Sequence, residues 1–320
     1  MFSLSSIIYK FISLLMSILL STGAIALPTA DEPINQALDG TYMSFIALGD
    51  TQVCNYNPTR EEALIASVED MANSSCPVNA LVVAGDIAEN GFQDEYDRVY
   101  DDLKKTGIKN FIFSAGNHDI RLRDYEQCSE RFLNFQNSLN PADKAVDKLY
   151  YTYTVNGCTF IVMASERSDF EDATITVRQT KWLKEQLDIA AVDGKPVFVV
   201  LHYPLKDTHG LPDTWSNSLW ESGSIGDDSD TVFEILNEYD NVILITGHLH
   251  TGFGQFSYEK IGNIDSVNVP SIGIKNKDGD YNDNGIGYFV EVSPSQVLFR
   301  ARDFAKGRFL PDYDIAIDLK

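Results

Sequence analysis

The chain has 320 residues, 44% of them hydrophobic, which suffices to bury a full core, and neither a long Pro/Gly/Ser linker nor an internal repeat divides it. Its 25 basic against 47 acidic side chains give a formal charge of −22. That field disfavours nucleic acid polymers and anionic membranes, although salt screens it beyond roughly 10 Å and small substrates stay compatible with it.

The N-terminus stands apart. Lys10 precedes the apolar run Phe11 to Leu20, and Ala24-Ile25-Ala26 places small residues at cleavage-site spacing, so residues 1–26 read as a secretory signal peptide. The alternative is an uncleaved anchor, but a spanning helix needs ~20 apolar residues, about twice this run. Cleavage removes Lys10 and no acid, which takes the charge from −22 to −23. The remainder, 27–320, is expected to be a single secreted or periplasmic domain without a stable membrane span.

Five apolar runs rich in Val, Ile and Phe then end in polar clusters: FIALGD (45–50), ALVVAGD (80–86), NFIFSAGNHD (110–119), PVFVVLHYP (196–204) and NVILITGHLH (241–250). They read as buried strands. Between the first three lie the helical patterns TREEALIASVEDMAN and FQDEYDRVYDDLKKTG, which predict βαβ units and a parallel sheet. LYYTYTVNGCTFIVMAS alternates around Asn156-Gly157, a type I′ hairpin signal, and YFVEVSPSQVLFRARDF reads as a second hairpin near the C-terminus. Trp182, on the amphipathic stretch VRQTKWLKEQLDIA, is expected in the core. The mixture predicts an α/β fold of two packed mixed β-sheets flanked by helices, a four-layer αββα sandwich. In open α/β sheets ligands bind beyond the carboxyl ends of the strands, where all five polar clusters sit.

Other segments invite functional readings. The stretch from 206 to 230 carries Trp215 and Trp220 without clear periodicity; a long loop after a strand of this kind is often a lid, and the rings would stack on a flat leaving group or pack on the protein itself. His209 in it belongs to no motif and is expected to be exposed. DYNDNGIGYFVE (280–291) fits the EF-hand loop pattern, but Ile286 to Val292 alternates into a strand, so a hairpin turn is the preferred reading and a bare calcium loop the second. Asn73-Ser74-Ser75 fits a glycosylation acceptor. The four cysteines show no CxxC spacing, and in an exported chain an even number favours two disulfides. A helix from about Glu61 to Asn73 spans roughly 20 Å and separates Cys54 from Cys76; Cys54 and Cys128 each follow a strand's carboxyl end, whereas Cys76 follows a helix and Cys158 a hairpin turn at the opposite edge, so Cys54–Cys128 and Cys76–Cys158 are the expected pairs.

Of five histidines, His118, His202, His248 and His250 fall at strand ends beside Asp50, Asp86 and Asn117. The order GD, GD, GNHD, H, GHLH resembles the calcineurin-like metallophosphoesterases, whose motifs run DxH, GD, GNHD or GNHE, H and GHxH, and it does so over roughly residues 45–250. The C-terminal hairpin is similar to the family's secreted bacterial branch, and the whole resembles the class III cyclic nucleotide phosphodiesterases.

The resemblance implies two divalent metal ions, Mn, Fe or Zn. Asp86 would bridge them, with Asp50 and His250 on the first and Asn117, His202 and His248 on the second. It also implies hydrolysis of small phosphomonoesters or phosphodiesters by attack of a bridging hydroxide. His118 would protonate the leaving oxygen or stabilise its charge, and Asp119 would orient the His118 ring. Mixed oxygen and nitrogen donors suit such ions. Gln52 departs from the pattern, standing where DxH has a histidine. Its amide oxygen has similar reach and no charge, which shifts the first site away from Zn; otherwise water fills the gap, or Glu89 substitutes, at the place where purple acid phosphatases have a tyrosine ligand. Arg121 and Arg123 follow the GNHD turn, where they would grip phosphate or pair with carboxylates. The alternative function is a non-catalytic metal-binding or interaction module with its first site altered at Gln52.

Overall fold

The computed structural model describes residues 32–121, 123–191, 194–210 and 223–320. The signal-peptide reading and Trp215 and Trp220 fall outside those residues. In chain order the first elements are β1 (Met43–Leu48), α1 (Pro58–Ala72), β2 (Ala80–Ala84), α2 (Gln93–Leu103), β3 (Phe111–Ser114), the single turn α3 (Asn117–Ile120) and α4 (Tyr125–Leu139). Next come β4 (Tyr151–Val155), β5 (Cys158–Val162), α5 (Val177–Ala190), β6 (Val197–Val200), α6 (Ser229–Leu236) and β7 (Val242–Thr246). The chain ends in β8 (Tyr258–Ile261), β9 (Ile264–Asn268), β10 (Ile286–Val292), β11 (Gln296–Asp303), β12 (Arg308–Phe309) and β13 (Ile315–Asp318). No described helix is long and apolar enough to cross a membrane.

Local sequence accounts for several boundaries. Pro58 opens α1, where its missing N–H costs nothing. α2 stops short of the predicted run because Lys104–Thr106 tightens into a 3-10 turn and Gly107 adopts the left-handed conformation at φ 74°. At the β4–β5 hairpin Asn156 and Gly157 both have positive φ, 49° and 79°, and Val155 faces Cys158, as a two-residue type I′ loop requires. The second expected hairpin is β10–β11, antiparallel from Ile286↔Asp303 to Val292↔Val297. The EF-hand pattern is part of this β structure: Glu291, its twelfth residue, lies in β10, accepts the backbone N–H groups of Ala37 and Leu38 and pairs with Arg300.

One sheet runs β12-β11-β10-β1-β2-β3, with β13 also pairing with β11; the other runs β4-β5-β6-β7-β9-β8. Their facing sides share a core that includes Phe45, Phe160, Phe198, Tyr288 and Phe299. On the outer face of the first sheet, Leu64 and Val68 of α1, Tyr96 and Val99 of α2 and Phe132 and Phe135 of α4 pack against Ile46, Leu81, Val83 and Phe113. On the outer face of the second, Leu183 and Leu187 of α5 and Val232 and Leu236 of α6 cover Ile161, Val199 and Leu244. These are the four layers expected. Trp182 is only half-buried, packing at this outer face and against the Tyr150 ring at 4.9 Å.

Neither expected disulfide is formed; all four cysteines are thiols. Cys158 lies in the core between the sheets beside the Tyr42 hydroxyl, whereas Cys76 packs on the outer, helical side of the first sheet, so that sheet separates the pair. Cys128 takes a contact from Arg131 and Cys54 from its own turn at Asn57. The hairpin and helix-end positions read from sequence place each cysteine along the chain but not on a face of the sheet.

Candidate metal centre

The carboxyl ends of β1, β2, β3, β6 and β7 converge, and the chain bends sharply after each. Asp50, Gln52, Asp86, His248 and His250 all have positive φ, between 40° and 71°. That region is sparsely populated by non-glycine residues and turns up where side chains must be aimed at a site. Glycines make room: a Cβ on Gly85 would meet the His202 ring at 2.4 Å, and one on Gly116 would meet Asp86 Oδ1 at 2.1 Å.

A second layer pins these turns. Ser271 Oγ donates to the Asp50 carbonyl at 2.9 Å, and Asn268 Nδ2 donates to the Gly247 carbonyl at 2.6 Å. Neither was apparent from the sequence, because Asn268 ends β9 and Ser271 lies on the strap just after it, a stretch that carries no motif of its own.

The donor atoms form two groups that share one residue. Asp86, His202 and His248 place ligand atoms within 4.8 Å of one another, and so do Asp50, Asp86 and His250. His202 turns Nδ1 to the Ala84 carbonyl at 2.7 Å, leaving Nε2 to face Asn117 Oδ1 at 3.1 Å, Asp86 Oδ2 at 3.4 Å and His248 Nδ1 at 3.0 Å. His250 Nε2 lies 3.0 Å from Asp50 Oδ1. Gln52 is 1% exposed; its Nε2 donates to Asp86 Oδ2 at 3.2 Å, and its Oε1 is buried with no hydrogen-bond partner among the described residues.

The buried carboxylate and imidazoles shift one another strongly. Burial alone would raise the Asp86 carboxyl, but the His202 and His118 imidazoles outweigh it and hold it well below the ordinary range. Burial likewise opposes charge on His202, yet Asp86 and Asp50 lift it to about 9. His248 is pushed down by burial and by His202 beside it. The residues present fit divalent ions: two buried carboxylates, three imidazoles and two amides, one of which, Gln52, keeps an orphaned buried oxygen.

His118, 14% exposed at its side chain, lies beside the same donor atoms, with Nε2 3.9 Å from Asp86 Oδ2. Asp119 does not orient it. The Asp119 carboxylate accepts from the N–H groups of Ile87, Ala88 and Gly116 and from the Tyr96 hydroxyl, so it braces the turn after β2 instead. Burial first, and then the Asp86 charge, raise its carboxyl to about 7. The partner of His118 Nδ1 is Glu89, through its carbonyl at 2.9 Å and its carboxylate at 3.2 Å. Glu89 also takes Arg60 and the Tyr56 hydroxyl, so its carboxylate is committed on the His118 side. Burial opposes ionisation of Glu89, but His118, Tyr56 and Arg60 bring it down to about 2.

The remaining candidates separate. Arg121 pairs with Glu171 at 2.9 Å and approaches His118 Nδ1 at 3.1 Å, whereas Arg123 stacks over Phe92 at 4.1 Å. His209 is buried, not exposed: it is 2% accessible, with Nδ1 at the Phe256 carbonyl and Nε2 at Ser266 Oγ, both 2.9 Å. A lone histidine in a loop gave no sign of this pocket, which β8 and β9 build. Glu171 was also missed; it sits in the acidic stretch SDFEDA with nothing to distinguish it from its neighbours.

The fold and the site together define a metallophosphoesterase class, and the family model of the calcineurin-like phosphoesterases matches residues 43–252, from the start of β1 to just past His250. The chain belongs to that family. Among solved structures, it resembles a dimetal phosphatase from Danio rerio at 12% identity and TM-score 0.62, over 88% of this chain and 100% of the other. It also resembles a purple acid phosphatase from yellow lupin (Lupinus luteus) seeds, at 13% identity and TM-score 0.60, over 86% of this chain and 53% of that one. A third is GAP50, the anchor in the inner membrane complex of Plasmodium, at 16% identity and TM-score 0.56, over 87% and 89%. No curated protein matches the sequence.

Proposed function

We propose that the chain is an exported dinuclear-metal phosphoesterase that hydrolyses small phosphomonoesters or phosphodiesters. The observation that carries this reading is the sharing of Asp86 between two donor groups. Asp50, Gln52 and His250 would hold one divalent ion and Asn117, His202 and His248 the other, with Asp86 between them. Two such ions supply an activated water and clamp the attacking and leaving oxygens.

The chain's own groups do the rest. His118 is held by Glu89 at Nδ1, which leaves Nε2 to deliver a proton to the leaving oxygen. For that it must be protonated, and the Glu89 carboxylate 3.2 Å from Nδ1 favours the charged ring. The class III phosphodiesterase resemblance keeps diesters within the substrate range. Export rests on Lys10, the run Phe11–Leu20 and Ala24-Ile25-Ala26; N-terminal sequencing of the mature protein should begin near residue 27, and an intact Met1 would refute it.

The deciding experiment combines metal content with turnover of an aryl phosphate and its diester. Wild type should carry two ions and turn over at least one of the two. Asp86→Asn, still folded, should lose both ions and all turnover. A second reading, a non-catalytic module, draws on Gln52 presenting its Nε2 rather than its oxygen to Asp86, and on the anchor role named for GAP50. Bound metal without turnover would favour it.

A further inference from the structure

The loop between β5 and α5 brings a carboxylate, Glu171, to the second donor group. Its Oε2 accepts from Asn117 Nδ2 at 3.2 Å and lies 3.8 Å from His248 Nε2, while Oε1 accepts from Arg121 Nη1 at 2.9 Å. The Glu171 side chain is 14% exposed, whereas His248 behind it is 2% exposed, so the anion sits where the buried donors open to solvent. Phe170 packs under the Arg121 guanidinium at 4.8 Å, and Arg121 Nη2 reaches His118 Nδ1 at 3.1 Å.

A phosphoryl group at this site would seek the same neighbours: a guanidinium fork, an amide N–H and an imidazole edge. The two oxygens of Glu171 already engage them. We propose that Glu171 is an intramolecular stand-in for the substrate's phosphoryl group, which must displace it and take over Arg121. This rests on the phosphoesterase reading and adds a control of access to that site. The displacement needs no loop opening. Asp169 on one side accepts from Thr174 Oγ1 at 2.6 Å and Asp172 on the other from the Gly223 N–H at 2.8 Å, so the backbone is pinned and only the Glu171 side chain rotates. Once displaced it cannot return beside a bound dianion, because like charges in so enclosed a site repel strongly.

The test is calorimetric binding of inorganic phosphate to the full chain at saturating Mn, with metal content and melting temperature measured alongside. A group that fills a subsite lowers apparent affinity by the fraction of sites left open; at about one open site in ten, Glu171→Gln should tighten phosphate on the order of tenfold. Glu171→Ala should do the same, and Arg121→Ala should weaken binding. Unchanged or weaker phosphate binding by both Glu171 variants, with two ions still bound and wild-type melting, overturns the proposal and makes Glu171 a fixed partner of Arg121. Loss of an ion from both variants also overturns it, making Glu171 a metal ligand. A wild-type chain that takes up no ions removes the phosphoesterase reading as well.

Discussion

Gln52 donates through Nε2 to Asp86 and keeps Oε1 buried without a partner, an arrangement that costs about 1–3 kcal/mol unless something satisfies the oxygen. Through that oxygen Gln52 would help Asp50 and His250 hold an ion. Gln52→His keeps the charge, and histidine tolerates the positive φ of 40° better than most residues, so activity should survive with metal preference moved toward Zn. Gln52→Ala should lower activity and recover part of it at high Mn. Metal titrations of activity for the three proteins check this, and an alanine variant that titrates like wild type with every metal would show that Gln52 is no ligand. At Gly116 the constraint is steric: an added Cβ would sit 2.1 Å from Asp86 Oδ1. Gly116→Ala should displace the shared carboxylate and cost metal binding far more than stability, as metal content and a melting curve on one sample would reveal.

The β5–α5 loop and α5 are joined by Glu166. Its carboxylate accepts from the Thr176 N–H at 3.0 Å, Gln179 Nε2 at 3.1 Å and Arg178 Nη2 at 2.9 Å, at the N-terminal end of the helix, where a negative charge is favoured. Burial opposes its ionisation, but the hydrogen bonds from Thr176, Arg178 and Gln179 outweigh that and lower its pKa below 4.5. The sign follows: the stabilisation is complete above the unfolded value and is lost as pH falls through the lower folded one. Glu166→Gln should therefore cost about 1–3 kcal/mol at pH 7, and the gap to wild type should narrow in acid. Denaturant melts at pH 7 and pH 3 measure it, and a gap independent of pH would contradict it. At another edge, β3 is the last strand of its sheet among the described residues. Its open groups are met by side chains instead: Asn140 and Gln136 serve Phe111, and the Tyr151 hydroxyl serves Phe113 at 3.0 and 2.9 Å.

Residues Pro33–Lys320 form one compact unit, and a buried ion pair links its two ends. Arg302 in β11 is 0% exposed and grips Asp70 in the last turn of α1 with two nitrogens, at 2.7 and 2.6 Å. Asp70→Asn removes the negative charge and leaves a buried guanidinium, which should destabilise by about 3–5 kcal/mol. Replacing both partners with apolar residues should recover most of that. Thermal unfolding of the single and double variants distinguishes this from a surface pair, for which the single change would cost under about 1 kcal/mol. The site depends on the same assembly, since its strand ends come from both sheets and meet only when the core around Phe45 and Phe198 closes.

The strands, their polar ends and the residues that gather there were legible in the sequence because each is a local pattern: an apolar run buried on both faces, then Gly-Asp, Gly-Asn-His-Asp or Gly-His-Leu-His. The hairpin at Asn156-Gly157 was legible for the same reason, two adjacent residues that accept positive φ. Tertiary structure alone decided the rest. Periodicity says which positions are buried, not which distant residue lies opposite them, and Ser271 meets Asp50 across 221 positions as Arg302 meets Asp70 across 232. For that reason Asp119 could be placed beside His118 in sequence and yet serve the turn after β2, Glu89 could take its place at the His118 ring, Glu171 could go unnoticed among other acids, and four cysteines could suggest two pairs that do not form.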